Sequence, residues 1–262
     1  MKGGENIHMK FESMSLEKDG NVGRLTLDRP HVLNAMNYQA VLDLNQVVEA
    51  VRDDKDLRIL VIRGAGRAFC TGIDLKQLSA GDTPLAYYEG WDRALRTLEV
   101  MDKFVLCGIH GYALGGGLQL ALASDIRVAT EDAKLGLPAI NESIVPGLST
   151  FRLPRYIGWG RAKRMVLTGE NVDGREAHAI GLVDYAVSAD ELDEAVEERV
   201  SELLQTCSMG ARHSKVLLGL SADMPWDDFF TEYLRRQELC IASRDHEEAR
   251  SAYRDGRIPV WI

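Results

Sequence analysis

The chain has 262 residues, of which 45% are hydrophobic and 27% charged, a composition typical of a globular protein with room for one large α/β domain. Its 40 acidic residues outnumber its 31 lysines and arginines, so the net charge is −9 and the positive field of a nucleic-acid-binding protein is missing. The sequence contains no apolar run near the roughly 18 residues of a membrane span, and its four scattered cysteines predict free thiols in the cytoplasm.

The first half of the chain alternates between strand and helix patterns after a leader at 1–9 that we expect to be loose. Strand patterns occur at 11–17, 22–28, 57–62, 104–109 and 125–129, and helical patterns at 37–52 and 85–103. Strand and helix in this order predict right-handed βαβ units and a parallel or stacked sheet. The two first strands are expected to form a hairpin, because they are joined by the turn-forming residues 18–21.

The last third of the chain has a different pattern. After Pro146 we find one strand pattern, at 182–187, and the other apolar residues recur at helical spacing. The predicted helices cover 151–157, 161–168, 175–179, 190–207, 211–220, 227–244 and 247–253. We therefore expect a βα core over residues 1–195 and a helical region over 196–262 that serves the assembly of several copies.

Common cofactor motifs are absent from the sequence. Its glycines follow the predicted strand at 104–109 as Gly111 and then three in a row, which is not a Gly-x-Gly-x-x-Gly dinucleotide motif, and no phosphate loop or His-Glu-x-x-His zinc helix occurs. The sequence Gly-Leu-Ser at 147–149 lacks the second half of a Gly-x-Ser-x-Gly nucleophile elbow. We therefore expect no metal and no nucleotide cofactor.

The chain is organised around the three consecutive glycines Gly115, Gly116 and Gly117, which precede a helical run. A helix that begins on glycine leaves its first N–H groups without side chains in front of them. These donors, together with the positive end of the helix dipole, suit an oxygen that carries or develops negative charge. Close packing of the helix on a strand would also require glycine, so packing and binding are alternative interpretations of this cluster.

Five motifs in order resemble the enoyl-CoA hydratase/isomerase (crotonase) superfamily over nearly the whole chain. They lie at 27–36, 69–76, 111–125, 138–147 and 249–260, and the second reads Phe-Cys-Thr-Gly-Ile-Asp-Leu-Lys. The resemblance implies a crotonase-like α/β fold, a superhelix of stacked ββα turns with a helical C-terminal region. It also implies assembly as a homotrimer or a dimer of trimers, with the region 196–262 taking part, and an acyl-CoA thioester bound between the two glycine-bearing loops.

The resemblance also assigns roles by position. The backbone N–H groups of Ile73 and Gly116 would hold the thioester carbonyl and stabilise an enolate-like oxygen. The other residues implied to contact the substrate are Arg29, Thr71, Gly72, Asp74, Leu75, Lys76, Gly115 and Ala139. Coenzyme A enters as part of the substrate, so the resemblance implies no separate cofactor.

The chain departs from the family pattern where hydratases use two glutamates. Gln119 stands at the first of these positions and Ala139 at the second. Glutamine can hydrogen-bond a water but cannot accept and hold a proton near neutral pH, and alanine does neither. We hypothesise that Glu142 replaces the missing base; the alternative is that it faces solvent or pairs with Arg152 or Arg155.

The sequence thus predicts an acyl-CoA enzyme, nominally a hydratase or isomerase, that stabilises a thioester enolate. Double-bond shift, decarboxylation and thioester hydrolysis stay open as reactions, and a non-catalytic acyl-CoA-binding oligomer stays open as the second class of function. The aromatic residues Tyr87, Tyr88 and Trp91 have two interpretations, as the lining of an acyl pocket or as helix packing.

Overall fold

Ten strands form two sheets in the computed structural model, which describes residues 7–261. The strands are β1 (Ile7–Lys10), β2 (Met14–Asp19), β3 (Val22–Leu27), β4 (Ile59–Gly64), β5 (Phe104–Ile109), β6 (Tyr112–Leu114), β7 (Ile126–Thr130), β8 (Lys134–Gly136), β9 (Asn171–Asp173) and β10 (Tyr185–Val187). The large sheet has the order β1-β2-β3-β4-β5-β7-β10, and the small sheet has the order β6-β8-β9. β1, β2 and β3 pair antiparallel, whereas the large sheet is parallel from β3 to β10.

Ten α-helices connect and cover these strands within the same residues. They are α1 (Tyr38–Asp53), α2 (Leu75–Ser79), α3 (Leu85–Val100), α4 (Gly116–Leu122), α5 (Ser149–Thr168), α6 (Gly174–Ala179), α7 (Leu192–Thr206), α8 (Met209–Leu220), α9 (Trp226–Ile241) and α10 (Arg244–Asp255). Short 3₁₀ turns lie at Pro30–Val32 and Pro138–Glu142. None of the described helices is long and apolar enough to cross a bilayer.

The predicted hairpin, the parallel βα units and the helical last third are confirmed, with ends that differ by a few residues. The prediction of a loose leader is wrong at residues 7–9, which belong to β1, while residues 1–6 lie outside the described part. The sequence analysis also missed the three-residue strands β6, β8 and β9, because three residues are too few to show an alternating pattern.

The large sheet is buried on both faces, which is why its central strands are continuously apolar. In β4, Ile59 and Val61 face α7, whereas Leu60 and Ile62 face the core formed with α1 and α3. Val196 of α7 is fully buried on this sheet. The division of the chain at residue 195 stays a prediction, and that position lies inside α7.

The helix α9 has no buried residue among those described, although it carries large apolar side chains. Trp226 is 73% exposed, and Phe230, Leu234 and Ile241 are each more than two-fifths exposed. These side chains follow one another at spacings of four, four and seven residues, so they share one side of the helix. The single chain therefore leaves an apolar stripe of α9 open.

Candidate active site

The two predicted glycine-bearing loops lie in direct contact. The first loop is the motif at 69–76, and the second is the glycine turn within the motif at 111–125. Gly72 has φ +88°, and a methyl group added there would lie 2.6 Å from the Gly116 nitrogen and 2.7 Å from the Leu114 oxygen. The first loop is held from the other side by Met36, whose N–H donates to the Gly72 oxygen and whose oxygen accepts from the Asp74 N–H. Glycine at position 72 is therefore required for the loops to meet.

Two backbone N–H groups at this contact have no acceptor among the described residues. They belong to Ile73, in the first loop, and to Gly116, the first residue of α4. Their neighbours are bonded, since the Gly115 N–H donates to the Gly136 oxygen and the Asp74 N–H to the Met36 oxygen, both at 2.9 Å. Two free main-chain donors side by side suit one oxygen with negative charge.

Packing and binding were alternative interpretations of the three consecutive glycines, and in the structure the three residues differ in their surroundings. Gly115 forms the turn, with φ +51°. Gly116 lies against the ring of Trp91, where an added methyl group would be 3.3 Å from Cζ2. Gly117 packs on the first loop, and a methyl group there would be 2.0 Å from the Cys70 carbonyl oxygen. Packing thus explains Gly117, whereas Gly116 faces a cavity.

Changing Gly117 to alanine is expected to lower the free energy of unfolding by about 1–3 kcal/mol or more, because the backbone must shift to admit the methyl group. Urea unfolding followed by circular dichroism measures the change. The matched control is Gly160→Ala in α5, which has open space around the added methyl group and no positive φ. The control should be neutral or stabilising, since alanine favours a helix over glycine. Equal stabilities for the two variants would contradict the packing role.

Ile73 and Gly116, which carry the two free N–H groups, both line a cavity of about 370 Å³. The aromatic residues Tyr87, Tyr88 and Trp91 of α3 form one wall. Ten predicted site residues line it: Ile73, Gly116, Glu142, Gln119, Thr71, Asp74, Leu75, Lys76, Gly115 and Ala139. The other two, Arg29 and Gly72, are not among the residues that line the cavity.

Arg29 is engaged within the protein. Its guanidinium donates to the Asp74 carboxylate at 3.1 Å and to the backbone oxygen of Ala35. Asp74 also caps α2, because its other oxygen accepts the N–H groups of Lys76 and Gln77. Lys76 is exposed at the cavity edge and forms no ion pair with another described residue. Arg29 and Asp74 therefore brace the first loop, and Lys76 is the cation left available to a ligand.

The side chain of Gln119 is oriented by its neighbour on α3. Trp91 donates its indole Nε1–H to Gln119 Oε1 at 3.2 Å. Because indole can only donate, the glutamine must turn its oxygen to the ring, and its amide nitrogen has no acceptor among the described residues. Gln119 thus offers the cavity a hydrogen-bond donor.

Both interpretations of the aromatic residues of α3 hold, since these residues pack in the core and also line the cavity. Tyr87 and Trp91 are only 4% exposed and belong to the main core, yet their edges line the cavity. The Tyr87 hydroxyl donates to the Met36 oxygen at 3.1 Å, and burial raises its pKa. This hydroxyl therefore stays protonated and is not a base.

Glu142 ends the 3₁₀ turn Pro138–Glu142 and lines the cavity, half-buried. Its carboxylate has no hydrogen bond or ion pair with another described residue. The alternative of a pair with Arg152 or Arg155 is wrong: Arg152 binds two carboxylates of α3, and Arg155 donates to the Phe151 oxygen and stacks on its ring. Glu142 thus lines the cavity with a carboxylate that has no partner among the described residues, and its role as the base stays a hypothesis.

Asp92 of α3 is a further carboxylate at the cavity, beside Asp74 and Glu142, and the sequence pattern does not indicate it. Its Oδ1 accepts a hydrogen bond from Arg152 at 3.1 Å, while Glu99 takes other donors of the same guanidinium. From the sequence, an acidic residue in an amphipathic helix is expected to lie on the solvent-exposed face. The position of Asp92 at the cavity therefore becomes visible only once α5 contacts α3 through Arg152.

The nearby thiol is inert. Burial raises the pKa of Cys70 to about 12, so its sulfur is a neutral thiol at physiological pH and not a nucleophile. Within residues 7–261, no three histidine, cysteine or acidic side chains gather as they would to hold a metal ion. The groups available at the cavity are therefore backbone donors, the Gln119 amide, the Lys76 ammonium and the carboxylates of Asp92 and Glu142, since Asp74 is held by Arg29 and by the start of α2.

Comparison with known proteins identifies the family of the chain. The sequence profile of the enoyl-CoA hydratase/isomerase family matches residues 17–262. The chain is 33% identical over 259 residues to the crotonyl-CoA hydratase of Syntrophomonas wolfei, covering 97% of this chain and 99% of that protein. It is 32% identical over 258 residues to the carnitinyl-CoA dehydratase of Salmonella typhi, covering 95% and 98%.

Solved structures show the same fold. A putative enoyl-CoA hydratase from Streptomyces coelicolor has a TM-score of 0.91 at 27% identity, with 100% of this chain and 98% of that one covered. Enoyl-CoA hydratase from Bacillus anthracis has a TM-score of 0.88 at 28% identity, covering 95% and 99%. The chain has the crotonase fold and belongs to the enoyl-CoA hydratase/isomerase family.

Proposed function

We propose that this protein is an enzyme that turns over an acyl-CoA thioester through an enolate, with the N–H groups of Ile73 and Gly116 as the oxyanion hole. The observation that carries the proposal is the pair of free backbone donors on two touching loops at one cavity. Backbone donors need no reorganisation as negative charge develops on the thioester oxygen, and each is worth roughly 2.7–4 kcal/mol of barrier.

Coenzyme A is proposed to enter along the first loop. Lys76 is exposed there without an ion pair among the described residues, so its ammonium is available to a phosphate group. Thr71, Leu75 and Gly115 border the path of the thioester. Arg29 acts indirectly, by holding Asp74 and with it the loop that carries the Ile73 N–H.

Proton transfer at the carbon next to the thioester is proposed for Glu142. Its free carboxylate lines the cavity, whereas Ala139 contributes only a methyl group and Gln119 only hydrogen bonds. A carboxylate at this place supports an enzyme with a base over a decarboxylase or a pure acyl-CoA binder. Enoyl-CoA hydration and double-bond shift are therefore the leading reactions, as a lyase or an isomerase.

Assembly as a homotrimer or a dimer of trimers is proposed for the native protein. The open apolar stripe of α9, with Trp226 stacked on Phe230 at 6.1 Å between ring centroids, supports burial against further copies. Names of the relatives refer to coenzyme A thioesters and to neither membranes nor nucleic acid. A cytoplasmic location stays a prediction.

A panel of coenzyme A thioesters tests the function. Purified protein is incubated with 2-enoyl-, 3-enoyl- and saturated acyl-CoA of several lengths, and products are separated by liquid chromatography and mass spectrometry. We expect turnover of at least one enoyl-CoA and exchange of the α-protons of a bound saturated acyl-CoA in D₂O. Calorimetric binding of thioesters without turnover or exchange would contradict the enzyme and leave the acyl-CoA binder.

A further inference from the structure

We infer that Asp92 is a catalytic residue, the proton acceptor for a water that reacts in the acyl cavity, while Glu142 serves the carbon next to the thioester. The inference rests on the enolate chemistry proposed above and adds a second acid–base group to it. It gives the enzyme separate groups for the proton of the water and for the proton at the α-carbon.

The free oxygen of Asp92 lies beside Gln119. A methyl group placed on Gly147 would be 2.6 Å from Gln119 Oε1 and 3.4 Å from Asp92 Oδ2, so both oxygens approach a single point of the cavity wall. Asp92 Oδ2 has no hydrogen-bond donor among the described residues. The amide nitrogen of Gln119 is a donor without an acceptor, because Trp91 holds the oxygen.

A water in the part of the cavity lined by Asp92 and Gln119 would find both kinds of partner. The Gln119 amide donates to its oxygen, and Asp92 Oδ2 accepts one of its protons. Neither group can replace the other, since the amide cannot hold a proton and the carboxylate cannot donate one. Gly147, with φ +50°, packs directly on Gln119, because a Cβ there would lie 2.6 Å from Gln119 Oε1.

Arg152 fixes the carboxylate in this orientation. The arginine is 4% exposed and its Nη1 donates to Asp92 Oδ1 at 3.1 Å, while its Nε and Nη2 donate to Glu99. One oxygen of Asp92 is thus held by a buried cation and the other is left to the cavity. Charge-assisted hydrogen bonds of this kind give a side chain one geometry.

Hydration of an enoyl-CoA uses both Asp92 and Glu142. The water oxygen bonds to the β-carbon as Asp92 Oδ2 takes its proton, and the electron pair of the double bond moves onto the thioester as an enolate held by Ile73 and Gly116. A protonated Glu142 then gives its proton to the α-carbon, and the enolate electrons form the new C–H bond. After product release, Asp92 loses a proton to solvent and Glu142 gains one, so no oxidant or reductant is involved.

The test compares Asp92→Asn with Glu99→Gln. Both variants remove one carboxylate from Arg152, but only the first removes it from the cavity. For hydration, Asp92→Asn should lower kcat by about 10²–10⁴-fold with KM little changed. Glu99→Gln should stay within a few-fold of wild type. Exchange of α-protons should survive in Asp92→Asn, because Glu142 performs it.

Asp92→Glu covers the case in which the asparagine variant does not fold. It keeps the pair with Arg152 and a carboxylate at the cavity, so partial hydration activity with a wild-type melting temperature supports the role. Equal losses of activity in Asp92→Asn and Glu99→Gln would overturn the role. So would a stable Asp92→Glu enzyme that is inactive while Asp92→Asn is active. A wild type that neither hydrates nor exchanges any thioester would overturn both this inference and the proposed function, whereas an active wild type with an active Asp92→Asn overturns Asp92 alone.

Discussion

Replacing Gly116 with proline should lower kcat on the best thioester by about 10²–10³-fold, the usual loss when one oxyanion-hole donor is removed. Proline has no N–H and would therefore leave Ile73 as the single donor to the thioester oxygen. Gly116 is the first residue of α4, a position at which proline is compatible with a helix. Because the donor acts on charge that develops in the transition state, kcat should change much more than KM.

Gly116→Ala is the matched control for this experiment. Alanine keeps the N–H and adds a methyl group that would lie 3.2 Å from Gly72 Cα and 3.3 Å from the Trp91 ring. Any loss of activity in Gly116→Ala therefore measures the effect of the added methyl group alone, because the backbone N–H is still present. Steady-state kinetics and melting temperatures of both variants separate the two effects. A folded proline variant that turns over thioester as fast as the alanine variant would remove the oxyanion role of Gly116.

The fold was predictable where the chain carries long periodic patterns. The continuous apolar run of β5 gave its limits correctly, because a strand buried on both faces has few other interpretations. The strands β6, β8 and β9 were missed, since each is three residues long and is stabilised by partners distant in sequence. The small sheet that carries the second glycine loop therefore follows from packing and not from local pattern.

The part of the site that is formed by backbone groups could be predicted from the sequence. Glycine is the residue that lets two loops touch, so the positions of Gly72 and Gly116 along the chain already indicate where the loops meet. Side chains were harder, because their partners are distant in sequence. One alternative for Glu142 from the sequence was a pair with Arg152 or Arg155. In the structure Arg152 instead reaches α3, where Asp92 and Glu99 are 60 and 53 residues away. Ion pairs of this range depend on how α5 packs.

Exchanging Glu142 for glutamine should lower kcat by about 10²–10⁴-fold, the usual contribution of a general acid or base. Glutamine has nearly the same shape, and Glu142 has no partner among the described residues to lose, so stability and thioester binding should be unchanged. The α-protons of a bound saturated acyl-CoA should no longer exchange with D₂O. Proton NMR follows the exchange, and Glu142→Asp, which keeps a carboxylate, should restore part of it.

The same variant separates the reactions that the family allows. A 2-carboxyacyl-CoA that loses CO₂ forms its own enolate, so decarboxylation depends on the oxyanion hole and not on a base that removes a proton. If the native reaction is decarboxylation, Glu142→Gln should keep its rate while Gly116→Pro loses it. If it is hydration or a double-bond shift, both variants should lose activity, and the double variant should be little worse than either, since residues acting in one step are not additive. Full turnover of an enoyl-CoA by a stable Glu142→Ala enzyme would exclude Glu142 from the chemistry.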